Sequence, residues 1–193
     1  AVIYDNGEMD TIFTSSNKFK SAPTVIDSNG NIVILAGDEG GHFYGINLNG
    51  DVIFDILTGD NIRSEAGIIE MNNQIAIFIG SEDGHLYGLD INGNNLENWP
   101  QYIGDHKINS SPVFADVDND GDAEVISATE SGHLLIYHLD GTSYDNFPLL
   151  FNNNGGFISS PTIIDIDNDQ DLEVIIGTTQ NLSVYDLKNT TSL

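Results

Sequence analysis

Four segments of this chain repeat one pattern. Ser21-Ala22-Pro23 followed by Thr24–Asp27 aligns with Ser64-Glu65-Ala66 and Gly67–Glu70. Ser110-Ser111-Pro112 with Val113–Asp116, and Ser159-Ser160-Pro161 with Thr162–Asp165, complete the set. Positions 23, 66, 112 and 161 lie 43, 46 and 49 residues apart. Periods in this range belong to solenoids, propellers and arrays.

Each repeat carries the same run of strand signals. A short apolar stretch comes first: Thr24–Ile26, Gly67–Ile69, Val113–Ala115, Thr162–Ile164. A loop follows, then a more continuous apolar run: Ile32–Gly37, Ile75–Gly80, Val125–Ala128, Val174–Gly177. Runs this short, rich in Val and Ile, read as strands buried on both faces. A third run spans 41–47, 84–90, 132–139 and 182–186, and turns at Asn49-Gly50, Asn92-Gly93, Asp140-Gly141 and Lys188-Asn189 end it. Asn-Gly and Asp-Gly favour hairpins because both residues tolerate positive φ. A weaker fourth run closes the first three repeats: Val52–Leu57, Trp99–Ile103, Phe147–Phe151. No segment has a 3.6-residue apolar period. The expected fold is all-β: a β-propeller of about four blades, each of four antiparallel strands.

The divisions expected are 1–20 as the end of a preceding blade, blades at 21–62, 63–108 and 109–158, an incomplete blade at 159–187, and a tail at 188–193. Ala1–Gly7 matches a third strand and its turn, and Glu8–Ser15 a fourth strand. Two arrangements fit. Residues 8–15 supply the missing strand of the last blade and close a four-bladed ring, or the chain is a fragment of a ring of six to eight blades.

Two acidic loops carry the chemistry. Asp116, Asp118, Asp120, Asp122 and Glu124 occupy positions 1, 3, 5, 7 and 9 of one; Asp165, Asp167, Asp169, Asp171 and Glu173 repeat the spacing. Oxygen donors this dense suit a hard cation with six to eight ligands, and Ca²⁺ fits best. Without one, the carboxylates repel each other. Two Ca²⁺ sites are therefore expected. The first three Asp residues of each loop would point to one centre, residue 122 would offer its carbonyl, and Glu124 would close the site. Gly121 allows the sharp turn. Gln170 replaces it in the second loop, at a cost of roughly 1 kcal/mol in left-handed geometry, so a weaker or differently bent site is expected there. In the first two repeats the same place holds Asp27–Asn31 and Glu70–Gln74, shorter and nearly uncharged. The competing reading is that these are solvated acidic turns.

Charge narrows the partners. Thirty Asp and Glu face five Lys and Arg, for a net charge of -25. Nucleic acid and anionic membrane surfaces are disfavoured. Ten of the 30 carboxylates lie in the two loops, so two Ca²⁺ would leave -21 and a solvated acidic surface. There is no Cys, hence no disulfide from which to read a compartment. No apolar run of about 18 residues spans a membrane. No signal peptide is read; the sequence opens on Ala1 without an initiator Met, as a processed product or an excised piece would.

Ser-Ser-Pro, a D-x-D-x-D-G-x-x-E loop, a strand and Gly-His-Leu together resemble FG-GAP/VCBS-type propeller repeats. Similar calcium loops occur in integrin alpha-subunit propellers and secreted bacterial proteins. Asn98–Gln101 and Asn146–Pro148 resemble the Gly-Trp-Pro element of bacterial members. The resemblance covers about residues 21–187 and is strongest in the third and fourth repeats; in the first two the metal loops are lost, and Ala66 stands where Pro is expected. It implies a calcium-stabilised, non-catalytic scaffold or interaction module, extracellular or at the cell surface, within a larger protein. An unidentified protein or glycan would be its ligand.

Other constellations carry less. His42, His85 and His133 recur at one repeat position and read as one structural slot rather than a ring of metal ligands. His106 and His138 have no partners readable from sequence. Residues 84–94 also resemble repeats of quinone-cofactor propeller dehydrogenases, which dock blades through tryptophans; this chain has only Trp99. G-x-S-x-G, H-E-x-x-H and phosphate-loop motifs are absent, and nothing selects two carboxylates for glycoside hydrolysis. No catalytic or cofactor-binding residues are assigned. The sequons at Asn109, Asn181 and Asn189 read as chance in an Asn-rich chain. The alternatives are a propeller hydrolase or quinone-dependent oxidoreductase, and a structural tile that self-associates through open blade edges.

Overall fold

A computed structural model of the chain describes residues 2–3, 5–28, 30–71, 74–151 and 155–187. Among these, all regular structure is β, in antiparallel sheets. A short pair, β1 (Val2–Ile3) and β2 (Met9–Asp10), comes first. Sheet one follows with β3 (Thr24–Ser28), β4 (Asn31–Gly37), β5 (His42–Asn47) and β6 (Val52–Leu57). Sheet two holds β7 (Gly67–Met71), β8 (Gln74–Gly80), β9 (His85–Asp90) and β10 (Gln101–Tyr102). Sheet three holds β11 (Val113–Ala115), β12 (Glu124–Ala128), β13 (His133–His138) and β14 (Leu149–Leu150). Sheet four has β15 (Thr162–Ile164), β16 (Glu173–Gly177) and β17 (Leu182–Asp186).

Each large sheet is a meander whose strands pair in chain order, the blade expected from the repeat. First strands of neighbouring sheets touch, β7 with β11 and β11 with β15, so they form the inner side. The fourth strands depart most from expectation. β10 and β14 are two residues long, because each run contains a proline, Pro100 or Pro148, that has no N–H to give a ladder. β2 pairs with β1, and sheet four has three strands among the described residues; closure of a four-bladed ring by residues 8–15 is not the arrangement found. Tyr4, residues 72–73 of the second connection, the turn at Lys188-Asn189, the tail and the Asn189 sequon lie outside the described residues.

The core lies between sheets. Side chains alternate across a strand, so β8 sends Ile77 and Ile79 toward sheet one and Ala76 and Phe78 toward sheet three, all buried. That double burial explains the unbroken apolar runs. Leu35 and Phe43 pack with Ile77 and Ile79; Trp99 and Phe78 pack with Val125 and Leu135; Ile126 and Ile136 pack with Val174 and Ile176. Each side chain of this size contributes roughly 1.5–3 kcal/mol on burial.

The Ser-Ser-Pro motif has a mechanical reading. The first serine clamps the end of the second strand in its own sheet. Ser64 Oγ accepts from Gly80 N at 2.8 Å and donates to Gly80 O at 2.9 Å; Ser110 and Ser159 accept from Ala128 N and Gly177 N at 2.9 and 2.8 Å. The second serine stitches sheets together. Ser111 Oγ accepts from Glu65 N at 3.0 Å, and Ser160 Oγ from Ser111 N at 2.9 Å. The turn glycines serve the same end. Gly93 and Gly141 have positive φ, and a side chain on them would strike Phe54 and Asn98 of the preceding sheet.

Candidate metal centre

Both acidic loops connect the first and second strands of their sheets, at one end of the blade. Loop one begins as β11 ends. Asp116 curls the chain back by accepting from Asp120 N at 3.1 Å and Gly121 N at 3.0 Å. Asp118 accepts from Asp120 N at 3.2 Å, and Asp120 from Asp122 N at 2.8 Å. The curl brings carboxylate oxygens of Asp116, Asp118 and Asp120 within 4.8 Å of one another. Glu124, the first residue of β12, is 0% exposed and accepts from Val117 N at 2.9 Å. It forms a second group with Asp118 and His138.

Loop two repeats this. Asp165 accepts from Asn168 N at 2.7 Å and Gln170 N at 3.2 Å. Asp167 and Asp169 accept from Asp169 N and Asp171 N at 3.3 and 3.0 Å. Glu173, 4% exposed, accepts from Ile166 N at 2.7 Å. Here the carboxylates that converge are Asp165, Asp167 and Glu173. Asp122, Asp169 and Asp171 are in the loops but not in these converging groups. Gln170 has φ 79° where Gly121 has 99°, the left-handed geometry its position demands. Asn119 and Asn168 also have positive φ, 62° and 65°; Asn is among the residues that tolerate it, so each loop carries two left-handed residues.

His138 is the residue that sequence reading missed. β12 and β13 pair Glu124 with His138, and Nδ1 lies 3.1 Å from Glu124 Oε1. The signal lay in the hairpin register: Glu124 opens one strand and His138 ends the next. In sheet four the matching partner of Glu173 is Asp186. Burial pushes the Glu124 carboxyl up and Asp118 adds to that, against hydrogen bonds from Val117 N and His138. A buried carboxylate facing another carboxylate fits a bound cation: the oxygen donor set is hard and anionic, as Ca²⁺ requires. An open cleft of about 610 Å³ adjoins loop one, lined by Glu70, Asp120, Asp122, His138, Asp140 and Thr142 among others.

The recurrent histidines each begin a third strand and have separate neighbours. His42 Nδ1 is 2.8 Å from Asp55, His85 Nδ1 is 3.2 Å from Asp83, and His133 Nδ1 is 3.1 Å from Ser131 Oγ. His106 stacks near His133, with ring centres 4.4 Å apart. Asn109, from one sequon, binds Glu82 and Glu130 through its amide nitrogen.

Meander sheets packed face to face, inner first strands and strand-connecting acidic loops define a β-propeller-type repeat protein. Solved structures bear this out. The computationally designed Ika4 protein is 14% identical, with a TM-score of 0.59 over 93% of this chain and 99% of that one. BamB from Moraxella catarrhalis is 18% identical, TM-score 0.56, over 84% of this chain and 44% of that one. BBS1N, solved in complex with ARL6DN, is 13% identical, TM-score 0.61, over 88% and 54%. The chain thus spans about half the length of the latter two. No curated protein sequence matches it. Residues 116–176, the stretch from loop one into β16, match the model of the FG-GAP-like repeat.

Proposed function

We propose that this protein is a calcium-stabilised, non-catalytic interaction scaffold that works outside the cell or at its surface. The observation that carries the reading is the buried carboxylate at the end of each acidic loop, Glu124 and Glu173, set beside further aspartates. Asp116, Asp118, Asp120, Glu124 and the carbonyl of Asp122 would hold one ion; Asp165, Asp167, Asp169, Glu173 and the carbonyl of Asp171 would hold the other. Each ion supplies two positive charges to a loop that has none of its own and ties the first strand of a blade to the second. A protein or glycan would meet loops on the blade ends, since loops on a rigid scaffold commonly carry binding. BBS1N in complex with ARL6DN is a similar fold engaged with a protein. The test is thermal unfolding with Ca²⁺ and with EGTA, beside calorimetric titration of Ca²⁺. Two bound ions and a higher melting temperature are expected. Equal melting temperatures and no heat of binding would sink the calcium reading.

A further inference from the structure

Loop one has a nitrogen donor where loop two has an oxygen. Glu124 faces His138 across the β12–β13 pairing, whereas Glu173 faces Asp186 across the β16–β17 pairing. The ligand atoms of Asp118, Glu124 and His138 all lie within 4.8 Å of one another. The trio in loop two, Asp165, Asp167 and Glu173, offers oxygen alone. Among the described residues, His138 is the only histidine that joins two carboxylates in such a group. Donor chemistry sorts metals: Ca²⁺ takes oxygen, and imidazole suits zinc and its first-row neighbours.

The geometry fits a small ion. Two bonds of about 2.1 Å at a tetrahedral angle set their donor atoms about 3.4 Å apart. Glu124 Oε1 and His138 Nδ1 are 3.1 Å apart. The donors are also held from behind, as metal ligands need to be. Glu124 is buried, and its other oxygen accepts from Val117 N at 2.9 Å. His138 N donates to Thr142 O at 2.9 Å, and the imidazole lies against the Tyr144 ring, centres 5.8 Å apart. Asp118 is fixed by accepting from Asp120 N. An ion has a way in, because Glu124 and His138 line the open cleft of about 610 Å³. That cleft also leaves room for the water, or the partner's oxygen, that would complete a four-coordinate site.

We infer that Asp118, Glu124 and His138 form a Zn²⁺ site, and that His138 in place of Asp186 confines it to loop one. The inference goes beyond the calcium reading and does not rest on it, since the mixed nitrogen and oxygen donor set stands whether or not Ca²⁺ binds. Asp118 and Glu124 also belong to the proposed calcium set, so the two ions compete in loop one. Zn²⁺ would displace Ca²⁺ there and leave the ion in loop two in place. The two blades would then answer to different metals, although their loops share one spacing of carboxylates.

Calorimetric titration of Zn²⁺ into the metal-stripped chain tests it, beside nitrogen NMR of the imidazoles. One Zn²⁺ should bind more tightly than any other, and the first equivalent should shift the Nδ1 signal of His138. In His138→Asn, whose amide can still donate to Glu124, the affinity for that ion should fall roughly tenfold or more. A His138 signal unmoved by the first equivalent, or a Zn²⁺ titration unchanged in His138→Asn, overturns the site. Asp186→His should give loop two a second tight Zn²⁺, and no gain there overturns the claim that this one position separates the loops. Ca²⁺ titration of the same samples keeps the two readings apart. A chain that binds Zn²⁺ through His138 but takes no Ca²⁺ would sink the calcium reading alone. A chain that takes two Ca²⁺ while His138 ignores Zn²⁺ would sink the zinc site alone.

Discussion

The two ends of these blades handle negative charge in opposite ways. At the end where first strands meet second strands, the loops of sheets three and four carry ten carboxylates and no Lys or Arg. At the opposite end, where second strands meet third, the protein supplies its own cations. All four described cationic residues, Lys18, Lys20, Arg63 and Lys107, lie in the straps that lead into new sheets. Glu82 is the centre of that network, its side chain 5% exposed. Arg63 Nε reaches it at 3.0 Å and Lys107 Nζ at 2.7 Å, and the other arm of Arg63 holds Glu39 at 3.0 Å. Burial opposes the Glu82 charge, but hydrogen bonds from Lys107, Asn61 and Asn109 outweigh it and hold the carboxyl below its ordinary value. The Glu82 network is thus countered by covalently attached groups, whereas on the proposed reading the acidic loops would take a dissociable ion. Stability should accordingly depend on solution calcium at one end and be indifferent to it at the other.

The largest test of that contrast removes both buried loop carboxylates. Glu124→Gln with Glu173→Gln should erase the calcium-dependent rise in melting temperature. At 100 times its Kd one ion contributes about 2.7 kcal/mol, or roughly 5–10 °C for a domain of this size. Scanning calorimetry with and without EGTA reads it, and a variant that keeps the full rise would break the contrast. Next in size, Asp118→Asn and Asp167→Asn should each reduce a two-ion titration to one. Calorimetry would show which ion goes, the tighter one being lost with Asp118→Asn.

At the other end, Glu82→Gln should cost about 1–2 kcal/mol by the same amount with calcium and with EGTA. A loss that appears in only one of them would join the two ends after all. The pH dependence follows from the lowered folded value. The contribution of Glu82 is whole above its ordinary pKa of 4.5 and is lost as pH falls through the folded value. Urea unfolding in EGTA should therefore show a steeper acid-side loss in the wild type than in Glu82→Gln. The smallest effect concerns the left-handed turn. Gln170→Gly should stabilise by at most roughly 0.5 kcal/mol, the relief of backbone strain less the added freedom of the unfolded chain, and tighten the second ion.

Much of this was legible because the repeat is written in residues with stiff local preferences. The second and third strands, at 31–37 and 85–90 for example, fall within a residue of their apolar runs, since a strand buried on both faces is mostly apolar along its length. Gln170 revealed its left-handed geometry by standing where a glycine should be. Three things were hidden. The fourth strands of sheets two and three shrank to two residues beside Pro100 and Pro148, an effect that the apolar pattern does not show, while β6 kept all six. His138 was silent because its partner lies across a hairpin, and register fixes that pairing rather than spacing. The Glu82 network joins residues from three straps and loops, at 61–63, 82 and 107–109, and no local pattern encodes a meeting that packing alone creates.

The serine stitches have a consequence for how the array yields under load. Ser111 ties sheet two to sheet three, and Ser160 ties sheet three to sheet four, each through one short hydrogen bond. Pulled from its two ends, the chain would present these bonds in series, so they would fail one after another. Single-molecule extension should then trace a saw-tooth, one tooth per blade.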